Sequence, residues 1–211
     1  MIVGFIVLMV VLVGVYGLLY STGVTDSGEI SEGSHYKIVE GAARARRGVE
    51  VVEYFSYACV HCKNFDPMID EWQRELPEGS TFRRVHAAYS PVTTLLSKAF
   101  FTLEQHGALE QNHMRIFRAI HDRGRQFLSA QSIADYVDGF GITSVEFLRT
   151  FNSPRVERAA RSGDARFVAM GLTGVPALVV GDRYVINMDV GRVQSLDVAL
   201  HLVERELAAK E

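Results

Sequence analysis

Hydrophobic and polar residues divide the chain into an apolar N-terminal segment, a short polar stretch and a long region in which strand and helix patterns alternate. Residues 1–21 are almost wholly apolar and contain no charged side chain. A helix of about 20 such residues spans about 30 Å, the thickness of the hydrocarbon core of a bilayer. The pattern predicts a transmembrane anchor, or an uncleaved signal. The alternative is a cleaved signal peptide, whose apolar region is usually shorter and follows a Lys or Arg. In both cases the segment directs export, so we expect the rest of the chain outside the cytoplasm.

Residues 22–36 are rich in Ser, Gly, Thr and acidic residues, a composition typical of a flexible linker. The remaining residues, 37–211, show no internal repeat and are predicted to form one folded domain.

Within this domain the spacing of apolar residues predicts four strands and two sets of helices. The predicted strands cover 51–57, 81–88, 177–180 and 184–188, and single helices run from Cys59 towards Leu76 and over 193–209. Between the second and third strands lie five predicted helices, at 93–106, 109–122, 129–140, 144–152 and 153–170. This order predicts an α/β sandwich that is interrupted by a helical insertion at about 92–170.

Length and charge exclude some functions. A chain of 211 residues buries a sizeable core and does not need disulfides for stability. The net charge is −3, and the one basic cluster, at Arg44, Arg46 and Arg47, is too short to follow a phosphate backbone. We therefore expect no nucleic-acid partner.

The two cysteines of the chain lie three residues apart, in the sequence Cys59-Val60-His61-Cys62, between a predicted strand and a predicted helix. A C-x-x-C pair in this position is typical of reversible thiol–disulfide chemistry. Cys59 is the candidate nucleophile, because the free amides at a helix N-terminus stabilise a thiolate. His61 adds to that stabilisation, and Cys62 is the candidate buried resolving thiol. The alternative is a static disulfide, or two unrelated thiols in the core.

Metal binding is an alternative to this interpretation. A c-type haem requires His directly after the second cysteine, where Lys63 stands, and zinc requires a second pair of ligands that the sequence does not supply. Copper bound by Cys59, Cys62 and His61 remains an alternative. We expect no metal and no cofactor, since the cysteines themselves carry the electrons. The histidines at 106, 113 and 121 are predicted to lie on solvated helix faces, and the histidine at 86 to be packed locally.

Two stretches, 53–62 (EYFSYACVHC) and 174–177 (GVPA), resemble the DsbA-type periplasmic disulfide oxidases. The resemblance covers about residues 36–208. It implies a thioredoxin fold interrupted by a helical domain, which the block at about 92–170 fits, preceded here by the N-terminal transmembrane helix.

The resemblance also implies roles for five residues at the site. Cys59 matches the attacking cysteine of the family, Cys62 its buried partner and His61 the histidine that stabilises the thiolate. Pro176 matches the cis-proline that faces the disulfide, and Val175 the residue whose backbone pairs with substrate. From the residues alone, Pro176 could equally be a trans proline at the start of an edge strand.

Two charged residues near the cysteines also match the family. Glu53 matches a buried acid beneath the active site, and Arg84, on the neighbouring predicted strand, matches the base that pairs with it. The alternative is that Glu53 reaches solvent at the edge of the sheet. Val60 departs from the most familiar family dipeptide, Pro-His, and the sign of its effect on the Cys59 thiolate stays open.

These expectations describe a thiol:disulfide oxidoreductase that introduces disulfide bonds into exported proteins. The resemblance implies reduced exported proteins as substrates and a quinone-linked membrane oxidase of DsbB type as the reoxidising partner. The enzyme would lie at the periplasmic face of the bacterial inner membrane, or in the periplasm if residues 1–21 are cleaved. The alternatives are a disulfide reductase or isomerase and, in another class, a copper-binding module without turnover. Isomerases of this fold usually carry a dimerisation domain, which we do not find in the sequence, so a monomer is expected.

Overall fold

The computed structural model of the chain describes residues 29–41 and 48–209. The predicted anchor at 1–21 and the first part of the predicted linker, 22–28, lie outside the described residues. Of the helices that are described, none has the length and apolar character that crossing a bilayer requires.

One mixed sheet runs through the described residues. Its strands are β1 (Tyr36–Ile38), β2 (Val49–Phe55), β3 (Ser80–His86), β4 (Ala177–Val180) and β5 (Tyr184–Ile186), in the spatial order β1-β5-β4-β2-β3. β2 pairs in parallel with β3, and the other neighbours are antiparallel. β2 lies between two neighbours and all but one of its residues are buried, which explains why its sequence is apolar on both faces.

The helices fall into two groups. α1 (Val60–Trp72) follows β2 and α7 (Arg192–Ala208) closes the chain. Between β3 and β4 lie α2 (Pro91–Gln105), α3 (Leu109–His121), α4 (Ala130–Val137), α5 (Ser144–Phe151) and α6 (Pro154–Ala169). Short 3₁₀ turns follow α1 at Gln73–Glu75 and β5 at Met188–Val190. The five helices predicted in the insertion are confirmed, and capping boxes fix the starts of three of them, at Ser90, Ser129 and Thr143.

Several predicted boundaries were wrong. The strand predicted at 51–57 begins earlier, at Val49, and the helix predicted at 129–140 ends at Val137 because Asp138 leaves the helical conformation with ψ 131°. The strand predicted at 184–188 ends at Ile186, where the chain turns into the 3₁₀ segment.

The predicted linker, 22–36, is also wrong at its C-terminal end. Tyr36 is 6% exposed and begins β1, an edge strand that the sequence analysis missed. Asn187 holds the residues before this strand, because its backbone N–H donates to His35 O (2.8 Å) and its Nδ2 donates to Ser34 O (2.8 Å). The folded domain therefore begins before residue 36.

Aromatic rings join the sheet to the insertion below the C-terminal end of β2. The Phe55 ring makes edge-to-face contacts with those of Tyr57, His86, Phe100 and His113, at centroid distances of 5.2, 5.0, 5.2 and 5.1 Å. Such contacts fix the positions of α2 and α3 relative to the end of β2. The cysteine motif follows directly after this cluster.

Candidate active site around Cys59

Cys59 occupies the N-cap position of α1, with φ −100° and ψ 115°. The backbone N–H of Cys62 donates to Cys59 Sγ at 3.2 Å. The first N–H groups of a helix have no partner within the helix, so a side chain at the N-cap is placed to accept from them. Here that acceptor is a partly buried sulfur atom.

The surroundings of Cys59 favour its thiolate. They lower the Cys59 pKa from 9.0 to about 6, mainly through a hydrogen bond from the Cys62 thiol. Partial burial opposes this shift, while the backbone amides of Cys62 and His61 and the His61 side chain contribute to it. Cys59 therefore has the ionisation of a reactive cysteine.

The pKa of Cys62 is shifted in the opposite direction. Its side chain is fully buried, and burial raises its pKa far above the ordinary value. Its hydrogen bond to Cys59 and the charges of Cys59 and Glu53 act in the same direction. One helical turn thus separates an ionised, partly accessible sulfur from a buried, protonated one.

The loop before β4 forms one wall of the site. The Val175–Pro176 peptide bond is cis, and Cys59 Sγ lies 3.5 Å from the Val175 carbonyl oxygen. A cleft of about 570 Å³ opens here, lined by both residues of this pair and by His61. It extends along the start of the folded domain, past Lys37, to Asp189. We call it the main cleft.

Glu53 and Arg84 are opposite each other in the register of β2 and β3. Arg84 Nε donates to Glu53 Oε2 at 3.1 Å, and Arg84 Nη2 lies 3.0 Å from Asp66 Oδ1 and 2.8 Å from Asp70 Oδ1. Glu53 is 1% exposed, so its carboxylate does not reach solvent. Burial raises the pKa of Glu53 to about 7, and the attraction of Arg84 only partly opposes that effect.

The same network continues into the insertion through residues that the sequence analysis missed. His113 Nε2 lies 2.9 Å from Asp66 Oδ1, and His113 Nδ1 lies 2.9 Å from the hydroxyl of Tyr57. Burial disfavours the Asp66 charge, but the hydrogen bond from His113 and the charges of His113 and Arg84 outweigh it and lower the Asp66 pKa. These contacts tie the active-site helix α1 to α3.

The prediction that His113 lies on a solvated face is therefore wrong, since its side chain is buried. A signal was present in the sequence: His113 is four residues after Leu109 and four before Phe117, and so lies on the apolar stripe of its helix. The same prediction is only partly right for His121, which is half-buried and donates from Nε2 to Tyr57 O at 2.9 Å. His106 is exposed and contacts Thr150, as predicted.

His86 is packed locally, as predicted. The Tyr57 backbone N–H donates to His86 Nε2 at 3.0 Å, so Nε2 carries no proton and Nδ1 donates to Ala87 O at 2.8 Å. Burial lowers the His86 pKa to about 3, so the ring is neutral. In the part of the chain that the structure describes, no three His, Cys, Asp or Glu side chains come together as a metal site.

Comparison with known proteins places this geometry in a family. Residues 50–201 match the DSBA-like thioredoxin domain. The thiol:disulfide interchange protein DsbA of Azotobacter vinelandii is 34% identical over 164 residues, 77% of each chain, and that of Pseudomonas aeruginosa is 33% identical over 165 residues, 76% of this chain and 77% of the relative. The crystal structure of Pseudomonas aeruginosa DsbA superposes with a TM-score of 0.78 at 30% identity, over 82% of this chain and 93% of that one. DsbA from Xylella fastidiosa superposes with a TM-score of 0.78 at 28% identity, over 84% and 98%. The chain therefore belongs to the family of DSBA-like thioredoxin domains and is a thiol:disulfide oxidoreductase.

Proposed function

We propose that this enzyme works as an oxidase, which introduces disulfide bonds into exported proteins through Cys59 and Cys62. The observation that carries the proposal is the contrast between the two sulfurs. Cys59 is partly accessible with a pKa lowered to about 6, whereas Cys62 is buried with a raised pKa. A stabilised Cys59 thiolate favours the reduced enzyme, and so makes the Cys59–Cys62 disulfide a strong electron acceptor.

In the proposed reaction a substrate thiolate attacks Cys59 Sγ of the enzyme disulfide. The S–S bond breaks and a substrate–Cys59 mixed disulfide forms, while the Cys62 sulfur leaves and takes up a proton. A second substrate thiolate then attacks the substrate sulfur of the mixed disulfide and expels Cys59 as a thiolate. The low Cys59 pKa makes it a good leaving group in this step. Two electrons pass from the substrate thiols to the enzyme cysteines.

Other residues of the site assist in this scheme. His61 lies beside Cys59 and favours its charge. Val175 and Pro176 bind substrate in the main cleft. The backbone N–H groups of residues 173–175 have no hydrogen-bond partner among the described residues, so they can pair with an extended segment of the substrate. Glu53, which forms an ion pair with Arg84, raises the Cys62 pKa through its charge. It therefore favours the protonated Cys62 thiol that forms when the disulfide is reduced.

Family membership supports reduced exported proteins in the periplasm as substrates and a DsbB-type membrane oxidase as the partner that restores the disulfide. We further propose that residues 1–21 tether a monomeric enzyme to the periplasmic face of the inner membrane. The support is the length of this uncharged apolar run. If the tether is retained, the full chain will sediment with membranes after expression and resist extraction by alkaline carbonate; recovery only as a shortened soluble protein would exclude it.

The oxidase is tested by oxidation of a peptide with two thiols. The oxidised wild type is expected to oxidise it, and Cys59→Ser to be inactive. In Cys62→Ser, oxidised glutathione first converts Cys59 to a mixed disulfide with glutathione. Exchange with a peptide that has a single thiol should then release glutathione and accumulate a Cys59–peptide disulfide, because no Cys62 thiol is present to displace the peptide. Equilibration of the wild type with glutathione gives the direction of the reaction. A potential as reducing as that of thioredoxin, or repair of a substrate that already contains wrong disulfides, would contradict the oxidase and favour a reductase or isomerase.

A further inference from the structure

A second cleft, of about 650 Å³, opens on the helical insertion, where the end of α2, the end of α5 and the start of α6 meet. Its lining includes Arg149, Arg155 and Arg158, with His106 beside them, and among the described residues no Asp or Glu lines it. It shares no lining residue with the main cleft and contains none of the cysteine motif. We call it the arginine cleft.

Local hydrogen bonds fix the backbone around the arginine cleft. The Ser153 backbone N–H donates to Thr150 O at 2.8 Å, and Ser153 Oγ accepts from the Val156 backbone N–H at 3.3 Å. His106 Nε2 lies 2.8 Å from Thr150 Oγ1, which joins the end of α2 to the end of α5. The arginines are therefore carried by helix ends that are already held together.

The three arginines of the cleft have no carboxylate partner. Within residues 29–41 and 48–209, none of them forms an ion pair or a side-chain hydrogen bond. The acid in the first turn of α6, Glu157, is paired elsewhere, with Lys98 Nζ at 3.5 Å and Arg161 Nη1 at 3.2 Å. Three guanidinium groups are thus free to bind a ligand.

Two other acids act on these arginines over a longer distance. The charge of Arg149 acts on Glu146, and that of Arg155 acts on Glu104. In the part of the chain that the structure describes, neither acid forms an ion pair with these arginines, and neither lines the cleft. The charge inside the cleft is therefore positive.

The start of α6 adds a further donor to the arginine cleft. Ser153 is the N-cap of this helix, Pro154 has no N–H, and the Arg155 backbone N–H has no hydrogen-bond partner among the described residues. Guanidinium groups bind phosphate oxygens through pairs of parallel hydrogen bonds, and the start of a helix favours negative charge. A group with several acceptor oxygens and a negative charge fits this lining.

We propose that the arginine cleft binds a phosphate group, with Arg149 and Arg158 as its main ligands. Arg155 contributes less, because Glu104 also attracts it. The volume of about 650 Å³ lies within the roughly 300–1,000 Å³ of sites for small molecules. The phosphodiester of an anionic lipid headgroup and the phosphate of a small soluble compound offer the same oxygens, so both are possible sources of the ligand. The inference is independent of the proposed function, since the cleft contains no residue of the cysteine motif.

Titration calorimetry of the full chain in a maltoside detergent, at constant ionic strength, tests the proposal. The probes are inorganic phosphate, glycerol phosphate and glycerophosphoglycerol, which is the headgroup of an anionic lipid. At least one of them should bind saturably, with one site per chain. Tighter binding of glycerophosphoglycerol would assign the site to a lipid headgroup, and tighter binding of the other two would assign it to a soluble phosphate. Glycerophosphocholine should bind at least about tenfold more weakly than glycerophosphoglycerol, because its ammonium group is repelled by the arginines.

Variants assign the binding to the cleft. Arg149→Gln and Arg158→Gln should each raise the Kd about tenfold, the usual effect of losing a hydrogen bond to a charged group. Arg74→Gln is the matched control, because Arg74 is exposed, has no ion pair among the described residues and lies outside the cleft. It removes the same charge and should change the Kd by less than about twofold, since salt screens distant charges. Thermal unfolding and alkylation of Cys59 should be unchanged in all three variants.

Three results would overturn the inference. The cleft is not a phosphate site if none of the three phosphate probes binds saturably to the wild type. Equal weakening by Arg74→Gln would show that net charge, and not the cleft, attracts the anion. An unchanged Kd in both Arg149→Gln and Arg158→Gln would place the bound phosphate elsewhere on the protein.

Discussion

The ionisation of Cys59 gives the sharpest test of the site. With a pKa of about 6, Cys59 should be about 90% thiolate at pH 7, whereas a thiol with the ordinary value of 9.0 would be about 1% thiolate. Since the thiolate is the reactive form, alkylation of the reduced enzyme by iodoacetamide should reach half its maximal rate near pH 6. The ultraviolet absorbance of the thiolate should show the same midpoint.

A substitution tests the cause of this shift. The hydrogen bond from the Cys62 thiol is its largest contribution, so Cys62→Ala should raise the Cys59 pKa. The backbone amide of residue 62 remains in the variant, so part of the stabilisation should persist. Cys59→Ser is the control that assigns the absorbance change to Cys59. A midpoint near pH 8.5 in the wild type would refute the reasoning, because the helix start would then give the sulfur no special stabilisation.

Three further predictions concern the surroundings of the cysteines. The pKa of Glu53 rises from 4.5 to about 7 on folding, so the native state binds the extra proton, and the contribution of Glu53 to stability should fall by about 3 kcal/mol as the pH rises through that interval. The lowered pKa values of His86 and Cys59 act in the opposite direction in both proteins, so the test is the difference in free energy of unfolding between the reduced wild type and Glu53→Gln, measured in urea from pH 4.5 to 8. This difference should change by about 3 kcal/mol against the wild type as the pH rises; a constant difference would contradict the prediction. Gly163→Ala should destabilise the protein by about 1–2 kcal/mol in urea unfolding, because a Cβ would lie 2.8 Å from Val85 Cγ1 and overpacking outweighs the gain in helix propensity. Equal or greater stability would show that this contact relaxes. Val60→Pro should leave the Cys59 pKa near 6 in the alkylation assay, because the Val60 amide is not among the groups that lower it and proline is tolerated at the first position of a helix. A clear rise would mean that this amide does stabilise the thiolate.

The sequence predicted those parts of the fold whose signal is local. The five helices of the insertion were found because their apolar residues recur at helical spacing and their caps are polar. β1 was missed because three residues are too few to show an alternating pattern. Its position depends on distant contacts, among them the Tyr36 ring at 5.5 Å from that of Tyr184 and the Arg205 guanidinium at 5.2 Å from the Tyr36 ring.

The same distinction, between local signals and distant contacts, separates the site residues that the sequence predicted from those that it did not. A partner for Glu53 could be predicted because a buried carboxylate on an apolar strand is costly without one, and Arg84 lies on the neighbouring strand. Asp66 and His113 satisfy each other across two helices, at a separation of 47 residues. A single sequence carries no signal of that pairing. The sequence does place His113 on the apolar stripe of its helix, and a polar side chain there needs a hydrogen-bond partner just as Glu53 does.

The opposite pKa shifts of Cys59 and Cys62 follow from their places in one helix start. At the N-cap, the Cys59 sulfur accepts from the Cys62 amide and lies 3.5 Å from the carbonyl oxygen of Val175, whereas the Cys62 side chain is buried in the core. Reduction of the disulfide therefore creates one stabilised charge and one neutral thiol, and oxidation removes that stabilised charge. An enzyme that donates electrons would need the reverse, a reduced state without this stabilisation. The position of the charge, and not the presence of two cysteines, is thus what favours an oxidase over a reductase in this fold.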